Sequence, residues 1–309
     1  MTVLPATRID THHHVVPGFY RDWLVSHGVE SGGMPMPAWS VEGSREVMRS
    51  LAVRTAMLSV STPGVDPSPA ADAAAIARDL NDFTTEVVRA HPATFGQLAT
   101  IPLPDVDASV DEAVRALDEL GADGVVLLGN ARGTYLGDAS YEPLMRVLDE
   151  REAVVLLHPS ELPGGAAPGI PAYAADFLLD TTRAAVSLCR AGVLDRYPRI
   201  RWILSHGGGV IPYAAPRVAQ AASLHGKPLE GLRLLRRFYY DTALTPFVTS
   251  MPALLRFARP GHVLFGSDYP FAASWIGRNF SAMLRAYPKL SGRSINHGAA
   301  ERLFPRLAR

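Results

Sequence analysis

Short apolar segments alternate with longer segments of helical period along this chain of 309 residues, and no other sequence feature restricts the possible folds as strongly. Eight segments have the apolar and β-branched content of strands, and each precedes a loop and a helical stretch. These predicted strands cover residues 8–14, 55–61, 95–101, 124–128, 153–158, 200–206, 238–241 and 262–267. Eight β/α repeats fit one closed barrel better than an open sheet or two domains. We therefore predict an α/β protein with a single (β/α)8 barrel domain over residues 1–309.

In the clearest predicted helices, apolar residues recur every three or four positions, and Asp105, Asp107 and Asp138 provide start signals. These helices cover residues 69–90, 109–120, 140–150, 176–194 and 247–258. Two long loops rich in glycine and proline, residues 27–37 and 161–171, follow the first and the fifth strand. In a barrel such loops lie at the carboxyl ends of the strands, where they are candidates for a lid or a pocket wall; ordinary surface loops are the alternative.

Composition excludes several classes of protein. The chain has 30 lysines and arginines against 30 aspartates and glutamates, and 48% of its residues are hydrophobic, so it is neither disordered nor a dedicated nucleic-acid binder. No segment approaches the roughly 18 consecutive apolar residues of a membrane span, and the first ten residues carry no targeting pattern. We therefore expect a soluble cytoplasmic protein that does not bind membranes.

The first predicted strand ends in a run of histidines, with the sequence IDTHHH over residues 9–14. Side chains two apart on a strand share a face, so His12 and His14 are expected to point into the barrel mouth and His13 outward. Two such imidazoles form half of a metal site, although such a run at a strand end is about as often incidental. The single cysteine, Cys189, excludes a thiolate metal cluster, so a metal ion here would bind histidines and carboxylates.

Three other predicted strands also end in a residue that can bind a metal or carry a proton. The fifth ends in LLHP with His158, the sixth in SHGGG with His206, and the eighth in GSDYPF with Asp268. A barrel places its catalytic groups at these strand ends. Four histidines and an aspartate at this face are therefore hard to explain by structural roles alone.

The remaining histidines provide an internal control. His91 precedes the third predicted strand and so falls on the opposite face of the barrel, where it should be inert. The others lie in loops or before strands, and we interpret them as surface or structural residues: His27, His225, His262 and His297.

Together these motifs resemble the amidohydrolase superfamily, in the branch typified by 2-amino-3-carboxymuconate-6-semialdehyde decarboxylase and by the γ-resorcylate, 5-carboxyvanillate and 6-methylsalicylate decarboxylases. The resemblance covers essentially the whole chain and is carried by DTHHH with Pro17, His158-Pro159, residues 192–209, Tyr240-Asp241 and GSDYPF. It implies that His206 is catalytic, and that one divalent metal ion, Zn²⁺ or else Mn²⁺, is bound without an organic cofactor. The implied metal ligands are His12, His14, His158 and Asp268.

The ligand chemistry agrees with that implication, because three neutral imidazoles and one carboxylate leave a coordination position for water or substrate. Hydrolytic superfamily members often bridge two metal ions with a carboxylated lysine from the fourth strand. The two lysines here are Lys227 and Lys289, and residues 124–132, the fourth strand and its exit, contain none. A site for a single metal ion is therefore favoured.

The resemblance implies non-oxidative decarboxylation of an aromatic or unsaturated carboxylic acid, with release of CO2 and protonation of the carbon. His206 is the expected proton carrier or activator of water, while Asp268 is either a ligand only or also the proton donor. A mononuclear hydrolase or lactonase would use the same residues and is the alternative. A hydratase and a non-catalytic, zinc-stabilised scaffold are less favoured.

Candidate substrate-binding residues are Arg217, Tyr173 and Phe271. Arg217 falls where the family has an arginine that reaches the substrate carboxylate, in some members from the neighbouring subunit, and a homodimer is expected because relatives tend to be dimers. The two aromatic residues are candidates to pack against a planar ring, and Asp241 is a candidate to orient a ligand or to cap a helix. Residues 34–39, MPMPAW, lack the arginine that precedes a tryptophan in the muconate-semialdehyde enzymes, which favours a monocarboxylic, salicylate-type substrate.

Overall fold

The computed structural model describes residues 7–65, 70–285, 287 and 294–308. Eight strands form one sheet in which each strand pairs in parallel with the next along the chain. Parallel neighbours require a crossover between them, and helices provide most of these connections. The strands are β1 (Arg8–His14), β2 (Val53–Ser59), β3 (Phe95–Thr100), β4 (Gly124–Leu128), β5 (Val154–His158), β6 (Arg201–Leu204), β7 (Tyr239–Asp241) and β8 (Val263–Leu264).

Backbone hydrogen bonds between β1 and the segment after β8 close the sheet into a barrel. The amide of Thr11 donates to the carbonyl of Phe265 at 2.9 Å, and the amide of Asp268 donates to the carbonyl of His12 at 2.9 Å. The amide of His14 donates to the carbonyl of Tyr269. The predicted single (β/α)8 barrel is therefore confirmed.

Twelve α-helices surround the barrel or cover its ends in the described part of the chain. They are α1 (Gly18–Ser26), α2 (Val41–Leu51), α3 (Ala70–Ala90), α4 (Val106–Val114), α5 (Glu142–Glu150), α6 (Asp176–Arg190), α7 (Val193–Arg196), α8 (Ala215–Ala222), α9 (Pro228–Leu235), α10 (Ser250–Phe257), α11 (Ser274–Arg285) and α12 (Ala299–Leu303). A π-helical turn, Arg115–Glu119, extends α4. None of these helices has the length and apolar character needed to cross a membrane.

Two of the predicted helix start signals act as caps. The side chain of Asp105 accepts a hydrogen bond from the amide of Ala108 at 3.1 Å, and that of Asp138 accepts one from the amide of Ser140 at 2.9 Å. These carboxylates satisfy amides that have no partner within the helix. Pro69, where the helix predicted over residues 69–90 begins, and Lys289 lie outside the described residues.

The two strands that end in His206 and Asp268 are shorter than predicted. Strand β6 ends at Leu204 because His206 has a φ of 53°, which takes the chain out of the extended conformation. Strand β8 ends at Leu264 because Phe265 and the residues that follow bond to β1 instead of continuing the ladder with β7. In both cases the chain turns where it presents a functional side chain.

The barrel interior is apolar, and its lower end, on the side of the strand amino termini, is filled by the C-terminal helix. Met57, Leu98 and Leu156 face inward from the strands and are almost completely buried. Leu303 and Phe304 pack against this cluster from α12 and the residue after it. Full burial of such side chains contributes about 1.5–3 kcal/mol each. The polar residues that can carry chemistry lie at the opposite end of the barrel, at the carboxyl ends of the strands.

The two long loops predicted as lid or wall candidates meet each other. A side-chain carbon added at Gly33 would lie 3.6 Å from Cβ of Pro171, and one added at Gly32 would strike the ring of Phe177. The hydroxyl of Ser31 donates to the carbonyl of Thr62 at 2.6 Å, which ties the first loop to the segment after β2. Their contact places both loops on the catalytic face, and a lid role stays a prediction.

Cys189 provides a test of the helix packing. The residue is 1% exposed on the inner face of α6, and burial raises the pKa of its thiol to about 12. Both the protonated state and the lack of access should block thiol reagents. We expect almost no labelling of the folded protein by a chromogenic disulfide reagent at mildly alkaline pH, and full labelling after denaturation.

A Cys189→Ala variant should give no signal under either condition. Rapid labelling of the folded wild-type protein would contradict the packing of α6 against the barrel.

Candidate metal centre

Strand β1 carries the first two candidate ligands. All seven of its residues are buried, and His12 and His14 point to the same side, with their Nε2 atoms 3.0 Å apart. His13 points away, as predicted, but into a polar contact between β1 and α2 rather than to solvent: its ring nitrogens lie 3.1 Å from Asp10 Oδ2 and 3.1 Å from Ser44 Oγ. The alternation of the strand thus separates ligand positions from a structural histidine.

Two more candidate ligands meet this pair. His158 is the last residue of β5, and Asp268 follows β8 in a left-handed conformation with a φ of 62°. Asp268 Oδ1 lies 3.3 Å from Nε2 of His12 and 3.2 Å from Nε2 of His14. One donor atom from each of the four residues lies within 4.8 Å of all the others, and all four side chains are buried. Four convergent nitrogen and oxygen donors suit one divalent cation.

Each histidine of the cluster has an acceptor for its other ring nitrogen. His12 Nδ1 lies 2.6 Å from Oδ2 of Asp241, His14 Nδ1 lies 3.2 Å from the carbonyl of Ser59, and His158 Nδ1 lies 2.9 Å from the carbonyl of Pro159. With a cation bound, a proton on each Nδ1 would satisfy these contacts and leave the lone pair of each Nε2 for the cation. Such outer hydrogen bonds fix the tautomer and the ring orientation of metal-binding histidines.

The ionisable side chains of the cluster lie close enough to shift one another's pKa values. Burial alone would lower the pKa of the His12 imidazole, but the charges and hydrogen bonds of Asp241 and Asp268 raise that pKa to about 10. Burial lowers the pKa of His14 to about 4 and that of His158 well below its ordinary value. Burial would raise the pKa of the Asp268 carboxyl, but hydrogen bonds from His12 and His14 bring that pKa well below its usual range. Cation binding at such donors competes with protons.

His206 stands beside the cluster without being one of its four donors. Its ring centroid is 4.9 Å from that of His12 and 5.8 Å from that of His158. Burial lowers the pKa of its imidazole, so the ring is neutral near pH 7 and can accept a proton. The following glycines are required by close packing: a Cβ at Gly208, where φ is 77°, would lie 2.5 Å from the ring of Tyr240.

Asp241 joins His206 to the metal cluster. While Oδ2 of this buried carboxylate bonds to the His12 ring, Oδ1 accepts the backbone amides of His206 at 2.9 Å and Ala243 at 3.0 Å. Of the two roles considered for Asp241, the structure therefore supports the orientation of a ligand. The same carboxylate also holds the strained backbone of His206 in place.

The predicted substrate-binding residues lie in different places. Phe271 is at the site, with its ring edge-on to His14 at a centroid distance of 5.4 Å. Tyr173 is 50% exposed on a short turn after the second long loop. Arg217 is exposed on α8, where it lines a surface groove of about 840 Å³ together with Arg183 and Arg190. No residue of the metal cluster lines that groove, so Arg217 is not brought to the cluster within this chain.

Several polar contacts of the site were not recognised from the sequence. Ser59 and Ser61, two apart at the end of β2, face the cluster; Ser61 Oγ lies 3.5 Å from Nε2 of His158. The spacing of two serines at the end of a predicted strand was the sequence signal that could have identified them as residues facing the site. Asp10 Oδ1 accepts the amides of His12 at 3.2 Å and Ser267 at 3.0 Å, and so bonds to both edges of the barrel closure. Nothing in the sequence indicates that bridging role.

The histidines interpreted as non-catalytic lie away from the cluster. His91 precedes β3, is partly exposed and packs edge-on against Phe95 at 6.2 Å between centroids. His27 and His225 are exposed, and His262 stacks on Tyr239 before β8. His297 is partly buried within 3.1 Å of Glu301.

The chain is similar to known proteins along nearly its whole length. A family model described as amidohydrolase matches residues 9–306. The 6-methylsalicylic acid decarboxylase of Penicillium expansum is 37% identical over 97% of this chain and 97% of that protein. The γ-resorcylate decarboxylase of Polaromonas sp. is 26% identical over 84% of this chain and 85% of its own length.

A similar fold occurs in a crystal structure of 5-carboxyvanillate decarboxylase from Novosphingobium aromaticivorans in complex with manganese. That structure covers 96% of this chain with a TM-score of 0.83, and 96% of its own chain is matched. At 18% sequence identity the likeness concerns the fold alone.

Substitution of a cluster histidine should abolish metal retention. In His158→Ala one of the four donors is lost, whereas His91→Ala removes a histidine on the opposite face. We expect the metal content of purified His158→Ala, measured by elemental analysis, to fall to a small fraction of the wild-type content, and that of His91→Ala to stay unchanged. Equal metal content in the two variants would remove His158 from the ligand set.

Because Asp241 bonds both to the His12 ring and to the backbone of His206, we predict that its substitution weakens metal binding. An asparagine offers one acceptor oxygen, so Asp241→Asn leaves either the His12 ring or the backbone amides of His206 and Ala243 without a partner. We expect a 10–100-fold loss of metal affinity, as for other partners of ligand histidines. Competition with a chromogenic chelator measures it, and wild-type affinity in a folded Asp241→Asn variant would contradict the role.

Proposed function

The chain belongs to the amidohydrolase family, and we propose that it is a metal-dependent decarboxylase that removes the carboxylate of a salicylate-type aromatic acid as CO2 without oxidation. The observation that carries the proposal is the cluster of three histidines and one aspartate with His206 beside it. It is supported by the likeness, over nearly the full length of both chains, to 6-methylsalicylic acid decarboxylase. We further propose that residues 1–309 form one domain that acts in the cytoplasm on a small-molecule acid.

The donor set fits a single divalent cation, with His12, His14, His158 and Asp268 as ligands. Zn²⁺ is the first choice because three imidazoles and one carboxylate satisfy its preferences, and Mn²⁺ is the second because a structural neighbour binds it. When bound, the cation supplies a Lewis acid that stabilises negative charge on the oxygens of the acid.

The reaction requires one proton at the ring carbon that bears the carboxylate, after which the bond to the carboxylate breaks and its electron pair returns to the ring. We assign this proton to His206, whose ring lies beside the four candidate ligands: it takes up a proton from water and delivers that proton to the ring carbon. Asp268 is assigned as a ligand: its carboxyl already interacts with His12 and His14, and its low pKa makes it a poor donor.

The three candidate substrate-binding residues have different roles in the proposed function. Phe271, beside His14, supplies a face or edge for the aromatic ring. Tyr173 approaches the substrate only if the second long loop moves toward the site. Arg217 binds the carboxylate only from the neighbouring subunit of a homodimer, because it lies outside the metal site of its own chain.

Release of CO2 is the direct test of this function. The zinc- and manganese-loaded protein should release CO2 from ortho-hydroxybenzoates, with the matching phenol as the other product. His206→Asn should keep its metal content but lose about 10²–10⁴-fold in kcat, the usual contribution of a proton-transferring side chain. His91→Ala serves as the matched control and should retain full activity.

Each other result has a definite meaning. Full activity of His206→Asn would remove that residue from the mechanism. Absence of CO2 over a panel of ortho-hydroxybenzoates and unsaturated acids, with metal content confirmed, would overturn the decarboxylase in favour of the hydrolase alternative. Ring-opening of a lactone, with all carbons retained, would then identify the hydrolase.

A further inference from the structure

The carboxylate of Asp180 is completely buried, and it has no part in the mechanism above. Asp180 belongs to α6 and is 0% exposed. Its Oδ2 accepts the backbone amide of Ser160 at 2.8 Å, and its Oδ1 accepts the side-chain amide of Asn130 at 2.8 Å. Burial raises the pKa of this carboxyl, but both hydrogen bonds act to lower it. N–H donors at both oxygens suit the ionised form, which only accepts hydrogen bonds.

The hydrogen bond from Ser160 connects Asp180 to the metal cluster through one peptide unit. The amide of Ser160 belongs to the same peptide as the carbonyl of Pro159, and that carbonyl lies 2.9 Å from Nδ1 of His158. A trans peptide is planar, so its N–H and C=O point rigidly in opposite directions. By holding the amide, Asp180 fixes the direction in which the carbonyl meets the His158 ring. Hydrogen bonds in such a chain also polarise one another, which makes the carbonyl a stronger acceptor.

The end of the neighbouring strand leaves room for this carboxylate. Gly129 follows β4, and its amide donates to the carbonyl of His158 at 2.8 Å. A Cβ at Gly129 would lie 2.2 Å from Oδ2 of Asp180, so any larger residue would displace the carboxylate. The backbone of His158 is therefore held by Gly129, while its ring is held by the peptide that Asp180 fixes.

We propose that Asp180 is a positioning residue for the candidate metal ligand His158 and acts through the peptide that joins Pro159 to Ser160. Ligand histidines commonly bond to a carboxylate or a carbonyl, and here a carbonyl fixed by a carboxylate has that place. The inference rests on the metal site of the proposed function and extends its support to α6.

The first test is Asp180→Asn. An asparagine has one acceptor oxygen, so the change removes the negative charge and leaves either Ser160 or Asn130 without its hydrogen bond. We expect the affinity for Zn²⁺, measured by competition with a chromogenic chelator, to fall about tenfold. This is the lower end of the roughly 10–100-fold range for partners of ligand residues, because a peptide stands between Asp180 and His158.

Gly129→Ala is an independent second variant. It keeps the carboxylate of Asp180 but pushes it away from the end of β4, so it should also weaken Zn²⁺ binding. If Asp180→Asn does not fold, this variant decides the question alone.

Asp149→Asn is the matched control. Asp149 is also a buried aspartate, and its carboxylate accepts the backbone amide of Arg199 at 2.7 Å and Nε of Arg199 at 3.0 Å. It lies at the end of α5, before β5 begins, and so on the face opposite the metal cluster. The same substitution there should lower the thermal stability but leave the affinity for Zn²⁺ unchanged.

The visible absorption of the Co²⁺-loaded proteins gives a second readout, because it depends on the number and arrangement of the metal ligands. The spectrum should change in Asp180→Asn and Gly129→Ala and stay as in the wild type in Asp149→Asn. A loss of packing without a change at the metal would not alter it.

The possible failures of the inference and of the proposed function are distinguishable. Wild-type Zn²⁺ affinity and a wild-type Co²⁺ spectrum in folded Asp180→Asn would overturn the inference, while metal loss in His158→Ala would still support the metal site. Full metal content in His158→Ala would overturn the ligand assignment and the inference with it. Neither readout depends on turnover, so absence of CO2 with the expected metal results would overturn the decarboxylase alone.

Discussion

The backbone hydrogen bonds between β1 and the segment after β8 are the constraint on which the site depends. They close the barrel, and they also fix His12 and His14 on one edge against Asp268 on the other, since the amide of Asp268 bonds to the carbonyl of His12 itself. Asp10 strengthens the same closure by accepting amides from both edges. Three of the four clustered side chains thus take their relative positions from the hydrogen bonds that close the barrel. Only His158 lies on a strand, β5, away from that closure.

Much of the fold and the face that carries the site could be predicted from the sequence, because both depend on local signals. The alternation of apolar and helical segments identified eight strands, chemistry-bearing residues at four strand ends marked the catalytic face, and the family resemblance separated the four implied ligands from His206. Contacts across the barrel left no such signal. The bond from Asp241 to His12 joins β7 to β1, 229 residues apart, and the burial of His13 depends on Ser44 in α2. The early ends of β6 and β8 also follow from long-range bonds and backbone turns rather than from residue preference.

The backbone is strained at the catalytic end of the barrel, where it presents two functional side chains. His206 and Asp268 both have left-handed backbone conformations, with φ of 53° and 62°, at a cost on the order of 1–3 kcal/mol for each. The apolar interior and the helix packed beneath it contain side chains such as Leu156 and Leu303, whose burial offsets such costs. Stability is therefore concentrated at one end of the barrel, and the chemistry is placed at the other.

The shared carboxylate of Asp241 also has an evolutionary consequence. Its two oxygens bond to a ring that belongs to the metal cluster and to the backbone that presents His206, so neither part can be rebuilt without disturbing the other. Changes at residues that share a partner in this way are strongly non-additive. A lineage that exchanged the metal ion or the proton carrier would need compensating substitutions around β7. The two parts are thus expected to be inherited as one unit.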